Sequence, residues 1–264
     1  MRELSRKHHL SIHGSGVHFL RRHDRLPSST RHALCQQLRV QTYLLPPMIE
    51  LIQCPWSPYC LAQRRILEYS RAPFKVVNIP CGDPTLVWEL TRGRYYQVPI
   101  LKDGDNVLFE TGSDSQVIAK YLDSSLGLHL FPKQWEGIQE LIWPYIENDV
   151  EGIGFKLNDI YWKEFVEPEG AMRFLRHKER RYGRGCVDQW QANRNKLFAE
   201  FEAKLEPFEA MLASRPFLLD HHPRFVDFDL HGIVSNALYS GHYPFPKNSP
   251  RLKEWHGRLS KLRR

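Results

Sequence analysis

Hydrophobic and polar positions fall into short, regular blocks from Met48 onward. Ile49-Glu50-Leu51-Ile52 predicts a strand. Ser57 to Tyr69 predicts a helix, with Leu61, Arg65, Ile66 and Tyr69 at helical spacing, a serine suited to the N-cap and Pro58 suited to the first helical position. Phe74 to Ile79 predicts a second strand, and Pro84 to Thr91 a short helix. Val98-Pro99-Ile100-Leu101 and Asn106-Val107-Leu108-Phe109 predict two strands joined by a turn at Lys102 to Asp105, where Gly104 permits positive φ. A further helix starts near Ser113 and runs through Gln116 to Leu122. The order is β-α-β-α-β-β-α.

Beyond this point the period is helical. Trp135 to Val150 carries Ile138, Leu141, Ile142, Tyr145 and Ile146 on one side; Gln189 to Leu212 carries Leu197, Phe198, Phe201, Leu205, Phe208 and Met211. Phe228 to Tyr239 is apolar on most sides and predicts a buried helix. Gly127 and Pro132 punctuate the change of pattern, so the expected domains are 48–125 (α/β) and 133–264 (all-α). The His-, Arg- and Ser-rich residues 1–47 show no clean period and predict disorder. Three readings of them stay open: an organelle-targeting segment, a basic tail with a partner, or a chain whose true start is Met48. The last is favoured, because the strand begins at once after Met48.

Charge changes one conclusion. The formal net charge is +7. Residues 1–47 hold eight Lys/Arg against two acids, so the remaining body is nearly neutral. A nucleic-acid-binding domain, which needs a basic face, loses its main support. No apolar run approaches the roughly 18 residues of a membrane-spanning helix. The five cysteines (Cys35, Cys54, Cys60, Cys81 and Cys186) are odd in number and scattered, which argues against a disulfide scaffold and for a reducing compartment such as the cytoplasm.

Four local motifs then stand in a telling order: Ser57-Pro-Tyr-Cys-Leu-Ala-Gln-Arg-Arg-Ile-Leu-Glu, Val98-Pro99-Ile-Leu, Asp114-Ser115-Gln-Val-Ile118-Ala-Lys-Tyr121-Leu122, and Pro216-Phe-Leu-Leu followed by Val226-Asp227-Phe228. Together they resemble the glutathione-transferase family over roughly Met48 to Trp255, with the stretch from Lys156 to Cys186 unlike its common classes. The resemblance implies a thioredoxin-like α/β domain followed by an all-α bundle. It implies glutathione as co-substrate, a small hydrophobic electrophile as second substrate, no metal and a homodimer.

What each motif contributes can be weighed on its chemistry. A helix N-terminus presents unpaired N–H groups and partial positive charge, which favour a thiolate. By resemblance Ser57 would hydrogen-bond the glutathione thiolate; the plainer reading is that it only caps its helix. Cys54 and Cys60 offer a thiol-disulfide reductase instead, although their spacing is not Cys-x-x-Cys, and both also fit as small buried filler. A cis bond at Val98-Pro99 would aim the backbone of Val98 at the cysteinyl part of glutathione, whereas an edge proline in trans is commoner. Asp114 and Ser115 would hold the γ-glutamyl end at a helix start, with Glu110 and Thr111 as the alternative pair; Ser113-x-x-Gln116 is also a capping box. Asp227 resembles a buried structural cap, its box left incomplete by Arg224. The electrophile is expected near Tyr145, Tyr161 and Trp162. A third reading is a transferase-fold binding module without catalysis. His221, His222, His231 and His242 lack zinc spacing, and the basic runs at Arg176 to Arg184 and Arg251 to Arg264 predict solvated faces.

Overall fold

The structure, a computed structural model, describes residues 48–111 and 116–264. Its first part contains β1 (Ile49–Gln53), α1 (Pro58–Ser70), β2 (Phe74–Asn78), α2 (Thr85–Leu90), β3 (Ile100–Asp103), β4 (Asn106–Phe109) and α3 (Val117–Leu126). Parallel neighbours need a crossover, and α1 supplies it between β1 and β2. The sheet order is β2-β1-β3-β4, with β1 antiparallel to β3 and β3 antiparallel to β4. Central β1 is accordingly apolar on both faces, with Ile49, Leu51 and Ile52 buried. The tight β3–β4 turn passes through Gly104 at φ +58°.

The rest is helical, as the pattern predicts: α4 (Glu136–Pro144), a π-turn (Tyr145–Val150), α5 (Glu151–Asp159), α6 (Pro168–Tyr182), α7 (Cys186–Ala192), α8 (Arg194–Met211), α9 (Phe225–Ala237) and α10 (Pro250–Lys261). Three details differ from expectation. The helix expected over 135–150 continues to Asp159 through the π-turn. Pro144, which lacks an N–H and crowds the preceding turn, stands where the ladder widens. The run expected over 189–212 is two helices. They part at Asn193, whose side-chain amide donates to the Gln189 carbonyl at 2.8 Å and competes with the backbone ladder. Helix α6 was not anticipated, because its apolar stripe is thin: Gly170 and Phe174 are its buried positions.

The core joins both parts. Helix α9 is buried along nearly its whole length and packs on α1. The fully buried Asp227 accepts from the Leu218 amide (2.9 Å), the Trp255 indole (2.8 Å) and the Arg224 amide (2.8 Å). The guanidinium of Arg224 has no acceptor to complete the box; it donates instead to the His129 carbonyl and to Asp220, both at 2.6 Å. The basic tail is not simply a solvated face. Leu252, Trp255 and Leu259 of α10 are buried, and the buried Arg65 of α1 donates to the carbonyls of Ser260 (2.9 Å) and Leu262 (2.5 Å). Those are end-of-helix acceptors with no intrahelical donor, so one guanidinium satisfies what the helix leaves open.

Candidate functional site

Strand β1 ends at Gln53, and the chain turns through Cys54-Pro55-Trp56 into α1. The Ser57 amide donates to the Cys54 carbonyl at 3.0 Å, which closes the turn, and the Ser57 carbonyl accepts from Leu61 at 2.9 Å, which starts the helix. From the other side, the Asn236 side chain of α9 donates to the Trp56 carbonyl at 2.6 Å. The position of Ser57 is therefore set by two elements. Its hydroxyl makes no capping bond to the helix amides, so simple capping does not account for it. The hydroxyl lies instead at the wall of a cavity and within reach of the Cys60 sulfur. Cys60 itself is fully buried, and burial pushes its thiol up to about 12.

That cavity has a volume of about 710 Å³, ample for a peptide-sized ligand. Cys54, Ser57, Val98, Pro99, Glu110 and Thr111 all border it. The Val98-Pro99 bond is cis, with Pro99 buried and Val98 half-buried at the rim. Upstream, Thr91 anchors the loop: its hydroxyl accepts from the Tyr95 amide at 3.1 Å and donates to the Val87 carbonyl at 2.8 Å. Asp114 and Ser115 lie outside the described residues. Among the described residues, Glu110 and Thr111 border the cavity. The Glu110 carboxylate accepts from the Val117 amide (2.9 Å) and the Ile118 amide (3.4 Å), which sets negative charge on the N-terminus of α3.

Helices α5, α6 and α9 build the opposite wall. Phe155, Phe174 and Tyr182 give it apolar surface; Glu147, Glu151, Asp159, Asp229, Lys178 and Arg181 give it ionisable groups. Lys178 pairs with Asp159 at 2.5 Å. Burial pushes Glu147 and Glu151 up to about 7 and raises Asp229 well above the usual carboxylate range. Asp229 Oδ2 and Asn236 Oδ1, both buried at this wall, have no hydrogen-bond partner among the described residues. This wall corrects two expectations. Tyr145, Tyr161 and Trp162 do not border the cavity: Tyr145 donates to the Lys204 carbonyl at 3.0 Å, Tyr161 stacks on His242, and Trp162 stacks on Phe174. The run Arg176 to Arg184 is not uniformly solvated, because Lys178 is half-buried against Asp159 and both it and Arg181 border the cavity.

Cys81, passed over in the sequence, also borders the cavity. The Cys54 and Cys81 side chains meet in one packed cluster at this end of the sheet. No pattern along the chain joins them, since 26 intervening residues separate the two ends of neighbouring strands. Among the described residues no group of three or more His, Cys, Asp and Glu side chains is placed to hold a metal ion, and no helix is long and apolar enough to cross a membrane.

Comparison with known proteins agrees with this architecture. Residues 51–128 match the family model for the glutathione S-transferase N-terminal domain. No curated protein matches the sequence significantly. Among solved structures, the glutathione S-transferase CsGST83044 of Ceriporiopsis subvermispora, in complex with glutathione, superposes with a TM-score of 0.68 at 17% identity, covering 83% of this chain and 100% of that one. Glutathione transferase GSTFuA3 from Phanerochaete chrysosporium gives 0.68 at 16% identity, with 81% and 97% covered. Glutaredoxin 2 from Salmonella typhimurium, also in complex with glutathione, gives 0.65 at 18% identity, with 82% and 96% covered. The chain thus has the glutathione-transferase fold: a thioredoxin-like sheet domain followed by helices.

Proposed function

We propose that this protein of glutathione-transferase fold binds glutathione in the cavity between α1, the cis-proline loop and α6, and transfers it to a small electrophile. One observation carries the reading: the Ser57 hydroxyl stands at the N-terminus of α1, is not used to cap that helix, and shares a cavity with the rim of a cis Val98-Pro99 bond. A tripeptide thiol fits these groups. The backbone of Val98 would pair with its cysteinyl part. Negative charge at Glu110 would attract its ammonium group, with Thr111 beside it; Asp114 and Ser115 are the other candidates for that end. The hydroxyl of Ser57 and the positive end of α1 would hold the sulfur as thiolate, the nucleophilic form.

The protein's contribution to transfer is then positioning and charge stabilisation. Ser57 donates to the sulfur and thereby favours loss of its proton. The aromatic side chains of Phe155, Phe174 and Tyr182 offer apolar surface to the electrophile, while Lys178 and Arg181 lie near enough to the same wall to stabilise developing negative charge.

A reductase acting through Cys60 is disfavoured, because that thiol is sealed from the cavity and held protonated. The deciding experiment pairs retention on immobilised glutathione with conjugation of 1-chloro-2,4-dinitrobenzene. Ser57→Ala is expected to be retained like wild type yet to conjugate roughly 10–100-fold more slowly, the worth of one hydrogen bond to a charged group. Cys60→Ser is expected to keep most of the rate. A wild-type chain with no retention would instead favour a binding module that needs no thiol site.

A further inference from the structure

Parallel pairing brings the ends of β1 and β2 side by side. Gln53 stands opposite Asn78, and the Ile79 amide extends the ladder to the Gln53 carbonyl at 2.9 Å. The chain therefore delivers Cys54 and Cys81 to one end of the sheet. Their side chains share a packed cluster with Trp56, Val98, Phe165 and Phe174, and both border the cavity. The two are unequal. Cys54 is 8% exposed, whereas Cys81 is half-buried in the loop that leaves β2. That loop is held from α6: a Cβ on Gly170 would meet the Cys81 carbonyl oxygen at 2.5 Å, so the two backbones are in close contact.

We propose that Cys54 and Cys81 form a dithiol–disulfide site, with Cys81 as attacking thiol, Cys54 as resolving thiol and glutathione disulfide as the oxidant. Their shared cluster and unequal exposure set these roles. Proximity to Cys81 and burial raise the Cys54 thiol, while the Cys54 thiol and the Lys178 ammonium lower Cys81 against the effect of its own burial. The more exposed cysteine is thus also the more readily ionised, which is what the first attack requires.

The exchange balances in two steps. The Cys81 thiolate attacks one sulfur of glutathione disulfide, forms a Cys81–glutathione mixed disulfide and releases one glutathione thiolate. Cys54 then gives up its proton to that leaving thiolate and attacks the Cys81 sulfur. The mixed disulfide breaks, a second glutathione leaves, and Cys54–Cys81 closes. Two protein thiols are oxidised as one glutathione disulfide is reduced to two thiols, and the sequence runs backward when reduced glutathione is in excess. Cys60 cannot replace Cys54 here, being fully buried and in contact with Ser57.

Only the choice of oxidant rests on glutathione entering the cavity, and the test separates the two ideas. The reduced full-length chain is exposed to glutathione disulfide, or to 2-hydroxyethyl disulfide, then alkylated and mapped by mass spectrometry. The expected product in both arms is a peptide linking Cys54 to Cys81, formed about tenfold faster with glutathione disulfide if that molecule is bound first. Cys54→Ser should accumulate a glutathionyl group on Cys81, and Cys81→Ser should gain none on Cys54. Equal rates in the two arms would keep the dithiol and sink the glutathione site. No linked peptide from wild type in either arm would overturn the dithiol, whatever the variants do.

Discussion

Gly232 of α9 faces the Pro58 carbonyl oxygen of α1 so closely that a Cβ built on it would stand 2.4 Å from that oxygen and 2.8 Å from the Ala62 nitrogen. The two helices meet backbone to backbone at the first turn of α1, beside Ser57. Gly232→Ala must push them apart, since the obstructing atoms are main chain and cannot rotate away. The expected cost is roughly 1–3 kcal/mol, the range of overpacked cores, read as a lower urea midpoint with unchanged slope. Conjugation should slow as well, because the same shift moves Ser57. A loss of stability under about 0.5 kcal/mol would show that the contact is looser than described.

Glu151 should make stability depend on pH in a definite direction. Burial raises it from 4.5 to about 7, against the pull of Lys178 and Arg181 and with the push of Asp159 and Glu147. Between those values the folded chain holds a proton that the unfolded chain has lost, so this residue's contribution falls as pH rises. Other buried groups titrate alongside it, including Asp227 and Asp229 with the same sign and His256, lowered to about 4, with the opposite one. The clean readout is therefore a difference. Glu151→Gln should gain on wild type from pH 4.5 to pH 7, by on the order of 2 kcal/mol once access of solvent is allowed for. Parallel stability curves for the two proteins would refute the assignment.

Asp227 is the structural counterpart to the cavity acids. It serves three buried donors, and Asp227→Ala would leave the Leu218 and Arg224 amides and the Trp255 indole without an acceptor. Orphaning buried donors costs about 1–3 kcal/mol each, less any repair by water, so a total of about 3 kcal/mol or more is expected in denaturant unfolding. Hydrogen exchange should accelerate at the start of α9 before it does in β1. Uniform acceleration would mean that the aspartate supports the whole fold rather than this helix start.

The first part of the fold is legible in the sequence because its signals are local. Ser57-Pro58 at a helix start, the β3–β4 turn through Gly104 and the proline after Val98 each act within a few residues. The far wall was not legible for the opposite reason. Glu151, Lys178 and Asp229 come from three separate helices, and each alone reads as an ordinary charge on an amphipathic or buried run. Tyr145, Tyr161 and Trp162 are attractive as aromatics, yet the carbonyls and rings that engage them belong to other elements of the fold. Cys81 carries no local signal. Its meaning comes from the parallel pairing of β1 with β2, which sets it beside Cys54.

The π-turn at Tyr145–Val150 stands between Pro144 and the cavity-facing Glu151 and Phe155. A π-turn holds one residue more than the α-turn it replaces, and each residue of an α-helix turns it by about 100°. Deleting one residue within 145–150 would restore a regular ladder locally, so α5 would keep its phase and Glu151 and Phe155 their place at the opening. The same deletion within the regular α5 would instead rotate everything beyond it by that angle. Selectivity at this wall is thus written in helical phase as much as in residue identity. A single-codon deletion within α5 should therefore remodel the pocket far more than one within the π-turn.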